Sequence, residues 1–140
     1  MKILVDTNVL ISAFVFGGNP QHLVIRLLKS SHKLLISEYV QSEFKEKLFE
    51  KWPLKAQELF NTAMSLPFVF CKSTKVPLGV VRDEKDIPVL SDAIFNDADA
   101  ILTGDKDFFE LDIIRPQIFS PAMMMDFLSM NDERKNHEAS

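Results

Sequence analysis

At 140 residues, with 46% hydrophobic and 26% charged side chains, the chain has the length and composition of one ordinary globular domain. A formal net charge of −4 argues against a protein that binds nucleic acid through bulk positive charge alone. One cysteine, Cys71, excludes an intrachain disulfide and fits a reducing cytosol. No apolar stretch reaches the ~18 residues needed to span a bilayer. No leader precedes the first strand as read from Met1.

In chain order, Ile3, Leu4 and Val5 form a continuous apolar run. That pattern predicts a strand over Lys2 to Asp6, buried on both faces at the centre of a parallel sheet. The run stops at an acid, Asp6, followed by Thr7 and Asn8. A short helix is predicted over Val9 to Phe14, broken by Gly17-Gly18-Asn19-Pro20. A second helix runs to about Lys29, with Leu23, Val24, Leu27 and Leu28 at helical spacing. Lys33 to Ile36 reads as the second strand. Ser37 then caps a helix whose buried stripe is Val40, Phe44 and Leu48, with Glu43 beside the stripe. Trp52-Pro53 interrupts it, and Ala56, Leu59, Phe60 and Ala63 continue at helical spacing. Phe68 to Cys71 reads as strand three.

Lys72 to Lys85 reads as a loop. Asp86-Ile87-Pro88 has the form of a helix entrance, an acid at the cap and proline in the first turn. Val89, Leu90, Ala93 and Ile94 give that helix an apolar face. Ala100 to Leu102 is the fourth strand, closed by Thr103-Gly104-Asp105, and Ile118-Phe119 belongs to the last. A Met-rich helix is predicted over Pro121 to Met130, with residues 131–140 as a flexible polar tail; the domain itself spans 1–130. Alternating strands and helices predict an α/β fold, a three-layer α/β/α sandwich around a central parallel sheet with right-handed crossovers.

In such sheets ligands bind beyond the carboxyl ends of the strands. Asp6 ends strand one, Asp105 follows strand four, Asp86 opens the helix leading into strand four, and Glu43 lies early in the helix after strand two. Four carboxylates gathered at one edge repel one another, and burying them unpaired is costly. A hard divalent cation removes that cost, because Mg²⁺ and Mn²⁺ prefer carboxylate and water oxygens. With no His or Cys cluster, zinc does not fit. Asp107, two residues from Asp105, is a spare ligand. Each acid also has an ordinary reading: Asp6, Asp86 and Asp105 as helix caps, Glu43 as a rim carboxylate.

These residues resemble a known family. Asp6-Thr7-Asn8-Val9-Leu10-Ile11-Ser12 is similar to the opening of PIN domains. Thr103-Gly104-Asp105-Lys106-Asp107-Phe108 is similar to their second half, as is the Asp86 helix leading into Ala98-Asp99-Ala100-Ile101-Leu102. The resemblance covers about residues 1 to 128, and is to the stand-alone prokaryotic type described as toxins of toxin–antitoxin pairs. It implies a Mg²⁺- or Mn²⁺-dependent ribonuclease of the cytoplasm that cleaves RNA to a 5′-phosphate and a 3′-hydroxyl. The family's acids fall on Asp6, Glu43, Asp86 and Asp105, with Asp83 a rival for the third place. Asn8 and Thr103 fall on polar residues that orient the carboxylates. A cognate antitoxin and a homodimer are further implications.

Lys45, Lys47 and Lys51 on the Glu43 helix, and Arg82, Lys85 and Lys106 near the acids, are the candidates for holding an RNA backbone, preferably single-stranded or looped. Their ordinary reading is solvated surface. Two other phosphoryl-transfer folds fit poorly. A haloacid-dehalogenase type needs a second acid two residues after Asp6, where Asn8 stands. A receiver domain needs its acid after strand three, where Cys71-Lys72 stands. A different class of reading is a non-catalytic PIN-like module that binds RNA or protein.

Overall fold

The computed structural model describes residues 1–74 and 87–138. Five strands, β1 (Lys2–Val5), β2 (Lys33–Ser37), β3 (Val69–Cys71), β4 (Ala100–Leu102) and β5 (Gln117–Phe119), form one sheet in the order β3-β2-β1-β4-β5. All four pairings are parallel. Ile3, Leu4 and Val5 are each fully buried although successive strand residues point to opposite faces. Helices therefore cover both faces, in the three-layer α/β/α arrangement expected of the sequence.

The helices are α1 (Thr7–Ile11), α2 (Gly18–Leu28), α3 (Glu38–Lys51), α4 (Ala56–Met64), α5 (Ile87–Phe95) and α6 (Pro121–Glu138). The helical path of α1 continues as a π-turn over Ser12–Phe16, then ends where Gly17 and Gly18 take φ of 73° and 64°. Those angles lie in the left-handed region that glycine adopts without steric cost. Ser37 caps α3, its hydroxyl accepting from the Val40 amide at 3.3 Å. Val40, Phe44 and Leu48 are fully buried. The stripe seats α3 against α1, α4 and α5, while α2 packs on α6.

Two expectations need revision. The terminal helix does not stop at Met130 but continues to Glu138. No proline or glycine lies between Ala122 and Glu138 to end it, and Arg26 on α2 pairs with Asp132 beyond the expected boundary. Ile94, assigned to an apolar face, is half exposed, as are Val69 and Phe70 on β3. β3 is an edge strand, so only one flank has a neighbour. The expected cap at Asp86 lies outside the described residues.

The strand order fixes where a site can form. The chain steps from β1 to β2 to β3 on one side, then returns to lay β4 on the other flank of β1. The crossover direction thus reverses between β1 and β4, and a crevice opens at their carboxyl ends. The Asp6 amide donates to the Leu102 carbonyl at 2.9 Å, joining the ends of β1 and β4, and the Thr103 amide donates to the Phe119 carbonyl at 2.9 Å, joining β4 to β5.

Candidate active site

Asp6 sits at this switch point, 7% exposed. One carboxylate oxygen accepts from the Thr7 amide at 2.8 Å, so the residue does cap α1. Its other oxygen accepts from the Thr103 hydroxyl at 2.7 Å. Capping and a site role do not exclude each other, because a carboxylate has about four lone-pair directions. Burial pushes the Asp6 carboxyl above its ordinary value. The hydrogen bonds from Thr103 and Thr7 pull it back, and the charges of Glu43 and Asp105 raise it again. Asp6 thus feels both acids, although 37 and 99 residues separate them from it in the chain.

The Thr103 hydroxyl also accepts from the Asp105 amide at 3.0 Å, tying the two acids through one side chain. Asp105 is half-buried and caps the short 3₁₀ turn Lys106–Glu110, accepting from the Asp107 amide at 3.0 Å. Asn8 accepts from the Gly104 amide at 3.2 Å and so holds the exit of β4 beside the start of α1. Asp107 itself is exposed.

Glu43 approaches from α3. Its Oε2 accepts from the Tyr39 hydroxyl at 2.7 Å, and its Oε1 lies 3.8 Å from Lys47 Nζ. Burial, together with the hydrogen bond to Glu43, raises the Tyr39 hydroxyl well above its usual range, so it stays a donor. Of the basic candidates, Lys47 stands beside Glu43, and Lys106 is exposed next to Asp105. Lys45 is turned the other way: its ammonium lies 5.3 Å from the centre of the Phe60 ring on α4. Two positions along a helix is roughly 200° of rotation, which carries Lys45 to the far side from Glu43. Lys51 is exposed at the end of α3.

Asp86, Asp83, Arg82 and Lys85 lie outside the described residues. Among the described residues no three acids, imidazoles or thiols form a ready-made metal cage. The fit to a hard cation is one of charge and donor type. Asp6 is buried, feels two further acids, and pairs with no cation among the described residues.

Sequence reasoning missed one acid. Asp92 on α5 is fully buried, accepting from the Ser73 hydroxyl at 2.7 Å and the Thr74 amide at 2.9 Å. Its signal was legible: Asp92 stands three residues after Val89 and next to Ala93, inside the apolar arc of its helix. Asp97 and Asp99 belong elsewhere. Arg115 holds both, and Asp99 accepts from the Lys2 amide at the opposite end of β1.

An all-parallel five-stranded sheet with a switch point between β1 and β4, and a buried carboxylate just past β1 on which Glu43 and Asp105 act, defines the α/β class to which the chain belongs. The family whose profile matches residues 2–107 is described as the PIN domain. The chain belongs to the PIN domain family. Among solved structures, it is similar to a chain in the crystal structure of VapBC2 from Rickettsia felis bound to a DNA fragment from their promoter. The two share 16% identity and a TM-score of 0.69, over 86% of this chain and 98% of that one. None of the curated proteins compared matches the chain.

Proposed function

We propose that this PIN domain is a divalent-cation-dependent endoribonuclease that hydrolyses RNA phosphodiester bonds. The observation that carries the reading is Asp6: a carboxylate buried at the switch point, on which the negative charges of Glu43 and Asp105 act and disfavour its ionised form further. A protein gains nothing in stability from such an arrangement unless a positive charge joins it. Asp6, Glu43 and Asp105, with Asp86 and the spare Asp107, would hold Mg²⁺ or Mn²⁺. Such an ion supplies an electrophile for the phosphate and makes an attacking water more acidic.

The chain's own residues prepare the site. Thr103 orients the Asp6 carboxylate and holds the Asp105 backbone beside it, while the Asp107 amide holds an oxygen of the Asp105 carboxylate. Asn8 holds the β4 exit through Gly104. Lys47 and Lys106 flank the acids as contacts for the RNA backbone, joined by Arg82 and Lys85 from the sequence. Lys45, set over Phe60, contributes least of the basic candidates.

The solved neighbour is a VapBC2 assembly. We extend its kind of partnership to this chain: a cytoplasmic toxin, homodimeric, whose antitoxin covers the acidic crevice with a basic side chain. The rival reading is a PIN domain that binds RNA or protein without cleaving.

The test is cleavage of single-stranded RNA by wild type and Asp6→Asn, with Mg²⁺ or Mn²⁺ and with excess EDTA. Wild type should cut only with metal, and the folded variant should lose at least about 100-fold, the upper end of what losing an outer partner of a metal ligand costs. Cleavage in EDTA, or full activity in Asp6→Asn, overturns the mechanism. Mn²⁺ uptake that is absent from wild type would favour the binding module.

A further inference from the structure

We propose that Tyr39 is a positioning residue for Glu43, itself set by a hydrogen-bond chain that begins at buried Asp92. This rests on the metal-dependent nuclease reading. The links run through three elements. Asp92 on α5 accepts from the Ser73 hydroxyl at 2.7 Å and from the Thr74 amide at 2.9 Å. The same Ser73 hydroxyl accepts from the Tyr39 amide at 2.8 Å, in the first turn of α3. The Tyr39 hydroxyl then donates to Glu43 Oε2 at 2.7 Å, one turn further along the helix.

The first amides of a helix lack intrahelical partners. Ser37 satisfies that of Val40, and Ser73, arriving from the end of β3, satisfies that of Tyr39. A serine could cap α3 alone, so capping does not account for a carboxylate buried on the apolar face of α5, which is costly unless it is satisfied. Both Asp92 oxygens are used on Ser73 and Thr74, which directly precede, in sequence, the segment carrying Asp86. Asp92 therefore fixes α3 at its start and the chain where it leaves β3.

Tyr39 suits the last link because its hydroxyl is a neutral donor. It orients the Glu43 carboxylate without neutralising it, leaving the full negative charge for a cation. Lys47, at 3.8 Å from the other oxygen, is a looser partner on a flexible stem.

The experiment compares wild type, Asp6→Asn, Tyr39→Phe and Ser73→Ala. Mn²⁺ affinity is measured by calorimetry on the metal-free proteins, and RNA cleavage at limiting and saturating Mn²⁺. Losing an outer hydrogen bond to a ligand typically costs about 10–100-fold in metal affinity. Tyr39→Phe should weaken Mn²⁺ by that factor, keep the wild-type circular dichroism melt, and recover cleavage at saturating Mn²⁺. Ser73→Ala should weaken Mn²⁺ in the same direction. Wild-type affinity in Tyr39→Phe, or a cleavage defect that saturating Mn²⁺ does not repair, overturns the positioning role. Wild-type affinity in Ser73→Ala removes the link to Asp92. If wild type takes up no Mn²⁺ through Asp6, the nuclease reading fails first and this role falls with it.

Discussion

Thr103 carries more of the site than its size suggests. Its hydroxyl donates to Asp6 and accepts from the Asp105 amide, so a single oxygen sets the spacing of two acids contributed by β1 and by the turn after β4. Asp6 is where the conflict between stability and function shows. Its carboxyl is raised by burial and by Glu43 and Asp105, despite the Thr103 and Thr7 bonds. A folded-state value above the unfolded one means that the folded protein binds more protons in the window between them. Stability attributable to Asp6 is then greatest at low pH and is lost as pH rises through the folded value. In metal-free protein, Asp6→Asn removes that dependence. Urea melts between pH 4 and pH 7 should therefore show wild type losing stability relative to the variant as pH rises. A slope of the opposite sign would mean that the fold stabilises the charged form.

At the scale of elements, α3 does two jobs with one set of side chains. Its buried stripe seats it on the sheet, and the residue beside the stripe, Glu43, is carried to the acidic edge. Phe44 is the centre of that seating, with ring neighbours Phe14 at 6.4 Å and Phe60 at 6.1 Å. Phe44→Ala should cost about 3–5 kcal/mol in urea unfolding, the range for deleting a buried aromatic. Cleavage should fall with it, because Glu43 is the adjacent residue. The Arg26–Asp132 pair that follows the longer α6 contrasts with this. Both side chains are well exposed, and such pairs contribute roughly 0–1 kcal/mol. The extension of α6 is thus carried mainly by its uninterrupted helix-forming composition.

For the whole molecule, the net charge of −4 reads differently once the acids are placed. Some of the negative charge is concentrated at the switch point, where Asp6 feels both Glu43 and Asp105. Divalent ions should then act as ligands of the folded state alone. At about 100 times its dissociation constant, Mn²⁺ should stabilise wild type by about 2.7 kcal/mol. This would be seen as a rise in Tm that Asp6→Asn lacks. A thermal shift of equal size in both proteins would place the bound ion away from Asp6.

The strands, the α3 stripe and the chain-order position of each acid could be read from local pattern. Periodicity and capping act over a few residues and leave their mark in the sequence. Asp6 at a strand end and Asp105 after another were visible for the same reason. The length of α6 was misread because polarity was taken for fraying, although no proline or glycine interrupts Ala122 to Glu138. What only the tertiary structure decided is which distant groups share a hydrogen bond. Thr103 spanning two acids, Lys45 turned toward Phe60, and Ser73 joining Asp92 to the start of α3 all depend on crossovers that bring together residues far apart in the chain. Local pattern carries no record of those meetings, because they are set by how helices and strands pack and not by what any one of them prefers.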